Sequence, residues 1–400
     1  MGPLQKAGSH RRPWRPHGAW PPRPRAGFWA RGLVALAAAC SCGAAAGNLT
    51  QARQTPIQGP LSLAHFVPGQ SACYDRNKRL PLAVVDAHLH ARPFGGPPLP
   101  FPDLLNHLRQ SGVLFANLYG IGQRLPIQSP CTNPLDCPGV PLQPTLKSDF
   151  SNAQNSLDFE PDDLKLVLSM TFADLARPAE VLPQMAILDK DYPGLFRWMG
   201  ELNLVKQALF NNGHQAVAIE TIAAWKPFMA ELRRRRMPLA IHADLGNNQQ
   251  PFQYLPLMER VLSLYPDNRI IWMHLGLSRE LSVIDTRQHV ALLESLLDRY
   301  PQLSFDLSWR LLDDQVFSER SQRDRYVALI NRWPKRFIPG TDVVATAGSG
   351  AMAYRQELAI TSGILARVND EAFRRIALGQ NFFELADLEA VAPPICLAVR

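Results

Sequence analysis

Two histidines two positions apart, His88 and His90, end the run Val84-Val85-Asp86-Ala87-His88-Leu89-His90. Side chains of an extended strand alternate faces, so positions i and i+2 project together. Neutral imidazoles set side by side are metal donors. Four more residues of ligating type close short apolar runs: Glu201 in Trp198-Met199-Gly200-Glu201, His242 in Leu239-Ala240-Ile241-His242, His274 in Ile271-Trp272-Met273-His274, and Asp342 in Pro339-Gly340-Thr341-Asp342. Imidazoles and carboxylates together suit zinc first, then manganese or iron, as one or two divalent ions. An ion with an open coordination position polarises a carbonyl and lowers the pKa of its water from about 15.7 towards 7. Asp342 is then placed to act as general base and afterwards as general acid. The expected reaction is hydrolysis of an amide, lactone or ester in a small molecule. With a single ion, His274 instead donates a hydrogen bond to the substrate. Arg92, two positions beyond His90, is expected to grip a substrate carboxylate.

The elements that must position these residues recur along the chain. Eight short runs rich in aliphatic and β-branched residues end abruptly in polar residues or glycine: 82–90, 113–119, 165–171, 196–203, 238–244, 269–276, 303–308 and 337–342. Most are apolar on both faces, as strands of a parallel sheet covered by helices are. Amphipathic stretches at 216–236, 256–264, 289–299 and 323–333 alternate with them. The pattern predicts an α/β fold, a (β/α)8 TIM barrel distorted by a loop insertion at 121–163 after strand 2. A doubly wound sheet is the competing reading, but no Gly-x-Gly-x-x-Gly turn follows the first strand. Spacing provides an independent check. His242 to His274 is 32 residues, one strand–helix unit, and His274 to Asp342 is 68, two units. The six residues therefore fall at the ends of strands 1, 4, 5, 6 and 8, where this fold builds its active sites. His107, His214 and His289 fall in helical stretches and are expected on solvated faces. Asp86 is expected to brace the first strand, and Asp244 and Trp309 stand just past strands five and seven.

On His88-Leu89-His90, Glu201, His242, His274 and Asp342, the chain resembles the amidohydrolase superfamily of metal-dependent hydrolases from about Leu82 to Leu388. The ending Ile376-Ala377-Leu378-Gly379-Gln380-Asn381-Phe382-Phe383 is similar to the closing segment of its lactonase and decarboxylase branch. The resemblance implies a distorted barrel with one or two divalent metals at its mouth. It assigns His88, His90 and Asp342 to a first metal and His242 and His274 to a second. Glu201 stands where the family places a bridging carboxylate. The decarboxylase branch keeps one metal and no ligand on strand 4, which makes a mononuclear nonoxidative decarboxylase the alternative enzyme. A non-enzymatic, metal-stabilised binding protein is a third reading.

Domain limits follow. Residues 1–46 are expected to be a targeting segment, with Lys6 and six arginines, no Asp or Glu, and then the apolar run 32–46 ending in Ala44-Ala45-Ala46. That run is too short to span a bilayer, which needs roughly 20 residues. Residues 47–81 read as a linker, 82–390 as the barrel and 391–400 as a C-terminal tail. The chain is expected to be exported, periplasmic or secreted, with a lipid anchor on Cys40 or Cys42 as a minor alternative. The net charge of +7 resides in the first 46 residues. The remainder balances 35 basic against 35 acidic side chains, which argues against a nucleic-acid partner. Association between copies stays open. Export makes disulfides reasonable among Cys73, Cys131, Cys137 and Cys396; Cys131 and Cys137 are spaced to close a small ring, and three connectivities remain open.

Overall fold

A computed structural model describes residues 55–397. The expected targeting segment, the start of the linker and the last three residues lie outside them. Eight strands run in one parallel sheet: β1 Val85–His90, β2 Phe115–Tyr119, β3 Lys165–Met170, β4 Phe196–Val205, β5 Leu239–Ala243, β6 Ile270–Trp272, β7 Leu303–Asp306 and β8 Phe337–Ile338. They pair in sequence order, and a two-residue strand β9, Val343–Val344, pairs with β1. The eighth strand is thus split. Pro339 has no N–H to give the ladder, and the chain from 337 to 345 bonds to β7 with its first half and to β1 with its second. Leu307 N–H donates to Ile338 O, Ala87 N–H to Pro339 O and Asp342 N–H to His88 O, at 2.9, 3.1 and 2.8 Å. These bonds close the barrel, as the alternating pattern led us to expect.

A helix follows each strand: α1 Phe101–Ser111, α2 Lys147–Asp158, α3 Val181–Asp191, α4 Lys226–Arg235, α5 Leu255–Leu264, α6 Thr286–Arg299, α7 Arg320–Arg332 and α8 Ala351–Thr361. Their starts have local causes. Asp285, for instance, accepts hydrogen bonds from the Arg287 and Gln288 amides and so caps α6. The helix expected over 216–236 is shorter, because a 3-10 turn, Thr221–Trp225, precedes α4. The insertion is also shorter than expected: α2 is the ordinary second helix of the barrel, leaving an excursion over 121–146. Its ends pair as an antiparallel ribbon, Gln123–Arg124 with Gln143–Pro144. Cys131 and Cys137 form a disulfide at its tip.

Register brings Trp272, Phe305 and Phe337 into one row across β6, β7 and β8. All three are fully buried, with ring centroids 6.0 and 6.1 Å apart. Truncating one such ring to alanine costs about 3–5 kcal/mol. Residues 55–81 pack on the barrel instead of hanging free. Phe66 is buried against Phe115 and Phe383, and a second disulfide joins Cys73 to Cys396. Among the described residues, no helix is long and apolar enough to cross a membrane.

Candidate metal centre

All six expected ligands converge at the C-terminal mouth of the barrel. His88 and His90 end β1, Glu201 lies in β4 and His242 in β5. Two sit off their expected strands. β6 stops at Trp272, so His274 lies in the following turn with a left-handed φ of 55°, and Asp342 lies in the break of the eighth strand with φ 59°. Non-glycine residues pay a steric penalty there and do so mostly at functional sites. Two devices hold the broken strand against β1. Asp86 accepts from the Thr341 amide (2.9 Å), the Thr341 hydroxyl (2.7 Å) and the Tyr354 hydroxyl (2.8 Å), so it is the brace expected of it. Gly340 passes so close to His88 that a Cβ would stand 2.7 Å from the His88 Cβ and 2.9 Å from that of Ser308.

Each histidine gives one ring nitrogen to an acceptor and turns the other inward. His88 Nδ1 donates to Asp306 Oδ2 (2.9 Å) and His90 Nδ1 to the Gly120 carbonyl (2.8 Å). His242 Nε2 donates to Asp244 Oδ1 (2.9 Å), and His274 Nδ1 faces the hydroxyl and carbonyl of Ser308 (3.1 and 3.4 Å). In the neutral rings that a metal requires, these acceptors take the proton of one nitrogen and leave the inward nitrogen free to ligate. His88 Nε2 and His90 Nε2 then face each other at 3.1 Å. Two lone pairs at that separation repel unless a proton or a metal ion lies between them. The carboxylates complete the set. Asp342 Oδ1 is 3.4 Å from both of those nitrogens. Glu201 Oε2 is 3.4 Å from His90 Nε2, while Glu201 Oε1 is 2.5 Å from His242 Nδ1 and 3.4 Å from His274 Nε2. The donor set fits divalent metal, and its atoms fall into overlapping groups within 4.8 Å of one another.

The electrostatics agree. Four carboxylates, Glu201, Asp244, Asp306 and Asp342, cluster in the barrel mouth, and among the described residues Lys206, 3.4 Å from Glu201, is the lysine or arginine paired with them. Burial disfavours a charged His90 ring, but Asp342 and Glu201 outweigh it and push the ring up to about 9. His274 rises to about 9 as well, because Asp306, Glu201 and Asp342 overcome its burial. Against burial, Lys206, His242 and His274 hold the Glu201 carboxyl below the usual carboxylate range, and His88, His90 and His274 do the same for Asp342. A site this negative draws cations.

At the centre lies a cavity of about 180 Å³ lined by His90, His242, His274 and Asp342 and also by Phe94, Pro134, Leu135 and Trp309. The excursion thus supplies part of its lining. Asp244 and Trp309 line it, with the indole 5.0 Å from the His274 ring. Arg92 does not line it. β1 ends at His90, and Arg92 beyond it lines a different cavity. Asp306 and Ser308, which orient His88 and His274, went unread in the sequence. Yet Asp306 stands 32 residues after His274, the same unit spacing that located the ligands. His107 and His289 are buried, contrary to expectation, at 9% and 0% exposure. His214 lies in a loop, accepting from the Lys206 amide.

A family model described as amidohydrolase matches residues 170–360. No protein with a curated description matches the chain. Similar solved structures include a Campylobacter jejuni dihydroorotase (15% identity, 76% of this chain and 83% of that one, TM-score 0.45). Another is a zinc-bound amidohydrolase from Burkholderia multivorans (13%, 77% and 99%, 0.47). A third is a probable 2-pyrone-4,6-dicarboxylic acid hydrolase from Acinetobacter baumannii (13%, 76% and 99%, 0.41). The matched segment contains Glu201, His242, His274 and Asp342, four of the six candidate ligands, and over it the chain is similar to the amidohydrolase family.

Proposed function

We propose that the chain is an exported hydrolase that cleaves an amide, lactone or ester. In this reading His88, His90 and Asp342 hold one divalent ion, His242 and His274 hold a second, and Glu201 joins the two. The split of Glu201 carries the two-ion reading: Oε2 faces His90, and Oε1 faces His242 and His274. Imidazole and carboxylate donors favour zinc, with manganese or iron next. Ions bound there supply Lewis acidity, polarising a carbonyl and acidifying water.

The chain's own residues supply the rest. Asp342 lines the cavity and stays ionised at neutral pH. It takes the proton of the attacking water at a carboxylate oxygen and returns it to the leaving group. Asp306, Asp244 and the Gly120 carbonyl keep the imidazoles in their donor tautomers. Phe94, Pro134, Leu135 and Trp309 restrict water above the reacting carbonyl. Export is supported by the charge pattern of residues 1–46 and by the two disulfides, which persist in oxidising compartments.

The test is acid release from a panel of lactones, esters and amides by zinc-loaded protein. At least one class should turn over, and Asp342→Asn should lower kcat by about 100-fold or more. Carbon dioxide release from carboxylated aromatic substrates, without hydrolysis of any panel member, would replace this reading with the decarboxylase.

A further inference from the structure

The cavity that Arg92 faces has a volume of about 460 Å³ and lies between the loop after β1 and the excursion after β2. Its walls carry three cations, Arg92, Arg124 and Lys147, and no carboxylate. None of the three makes an ion pair among the described residues. The Nε atoms of Arg92 and Arg124 are buried without a hydrogen-bond partner. Ser148, 1% exposed, also lines the cavity with an unpartnered hydroxyl. Asp149, next to Ser148, does not line the cavity and accepts from the amides of Thr171 and Phe172 and from the Thr171 hydroxyl. Helix α2 begins at the cavity wall, so its positive end adds to the field of the three side chains.

Partly desolvated guanidinium groups without a counter-charge are unfavourable, and so is a buried hydroxyl without a partner. An anion in the cavity supplies the missing counter-charge and oxygens that can accept from this wall. We propose that this cavity binds a compact oxyanion, the phosphate or carboxylate group of a small molecule, through Arg92, Arg124, Lys147 and Ser148. It is separate from the metal centre: no residue lines both cavities. The guanidinium groups supply paired donors suited to planar or tetrahedral oxygens, Lys147 a mobile charge at the rim, and Ser148 a neutral donor at the floor.

Isothermal titration of the metal-loaded protein with sodium phosphate and, separately, sodium malonate in low-chloride buffer tests this. The wild type should bind at least one of them at millimolar concentration or below. The double variant R124Q/K147Q should bind it about tenfold more weakly or worse, with unchanged metal content and an undiminished unfolding temperature. Binding of phosphate alone points to a phosphorylated ligand, and of malonate alone to a carboxylate. Absence of binding by the wild type at tens of millimolar would overturn the proposal. So would undiminished binding by the variant, which would place the anion on the metals.

Discussion

Replacing Asp306 by asparagine changes a single atom type yet should disable the centre. Asp306 is fully buried, and both its oxygens are committed. Oδ2 accepts from His88 Nδ1 (2.9 Å) and the Ser308 hydroxyl (2.5 Å), and Oδ1 accepts from the His274 amide (2.5 Å). An asparagine whose oxygen keeps the His274 amide must present its NH2 group to His88. His88 Nδ1 then becomes the acceptor and the proton moves to Nε2, which removes the lone pair facing His90 and Asp342. Losing an outer partner of a metal-bound histidine typically lowers metal affinity 10–100-fold, about 1.4–2.7 kcal/mol. The assay is zinc competition against a chromophoric chelator, with circular dichroism to confirm folding. A folded Asp306→Asn protein that binds zinc within about twofold of the wild type would refute the reasoning that this carboxylate sets the His88 tautomer.

Three further outcomes follow from the packing. Gly340→Ala sets a methyl against His88 and Ser308. It should destabilise by about 1–3 kcal/mol and reduce metal uptake, measured by urea unfolding and elemental analysis; a neutral effect on both would contradict the close approach. Among the disulfides, loop entropy assigns about 2 kcal/mol to the Cys131–Cys137 ring and about twice that or more to Cys73–Cys396, whose sequence separation is 323. The pair C73S/C396S should therefore lower the unfolding temperature more than C131S/C137S, and the reverse order would count against this account. His289 is wholly buried between the Tyr326 hydroxyl (2.7 Å) and the Leu275 carbonyl (3.1 Å), and burial pushes its pKa down to about 4. The unfolded chain takes up this proton near 6.5 and the folded chain only near 4, so stability rises with pH across that window. Going from pH 7 to pH 5 should cost about 2 kcal/mol more in the wild type than in His289→Gln, by urea unfolding at both pH values.

The barrel and the convergence of the six candidate ligands at its mouth were legible because buried parallel strands write continuous apolar runs and the fold puts its chemistry at their ends. His88 and His90 were readable from strand alternation alone, and His274 and Asp342 from unit spacing, although neither lies on its strand. Arg92 follows the histidines in sequence yet lines a separate cavity, because β1 ends at His90 and the chain beyond it leaves the strand. Asp306 was missed because a lone acid at the end of an apolar run looks like a terminator, while its role depends on contacts with β1 and the turn after β6. His289 was readable in principle. It shares the apolar face of α6 with Leu293, Leu296 and Leu297, at helical intervals of 4, 7 and 8.

The central claim is a two-ion centre joined by Glu201, and metal content per chain tests it most directly. Protein lacking residues 1–46, purified without chelator and analysed beside Glu201→Ala, should hold about two divalent ions, falling to one or fewer in the variant. One ion in both would contradict the bridging role of Glu201, and no ion in the folded wild type, even with added zinc or manganese, would contradict the metal centre itself.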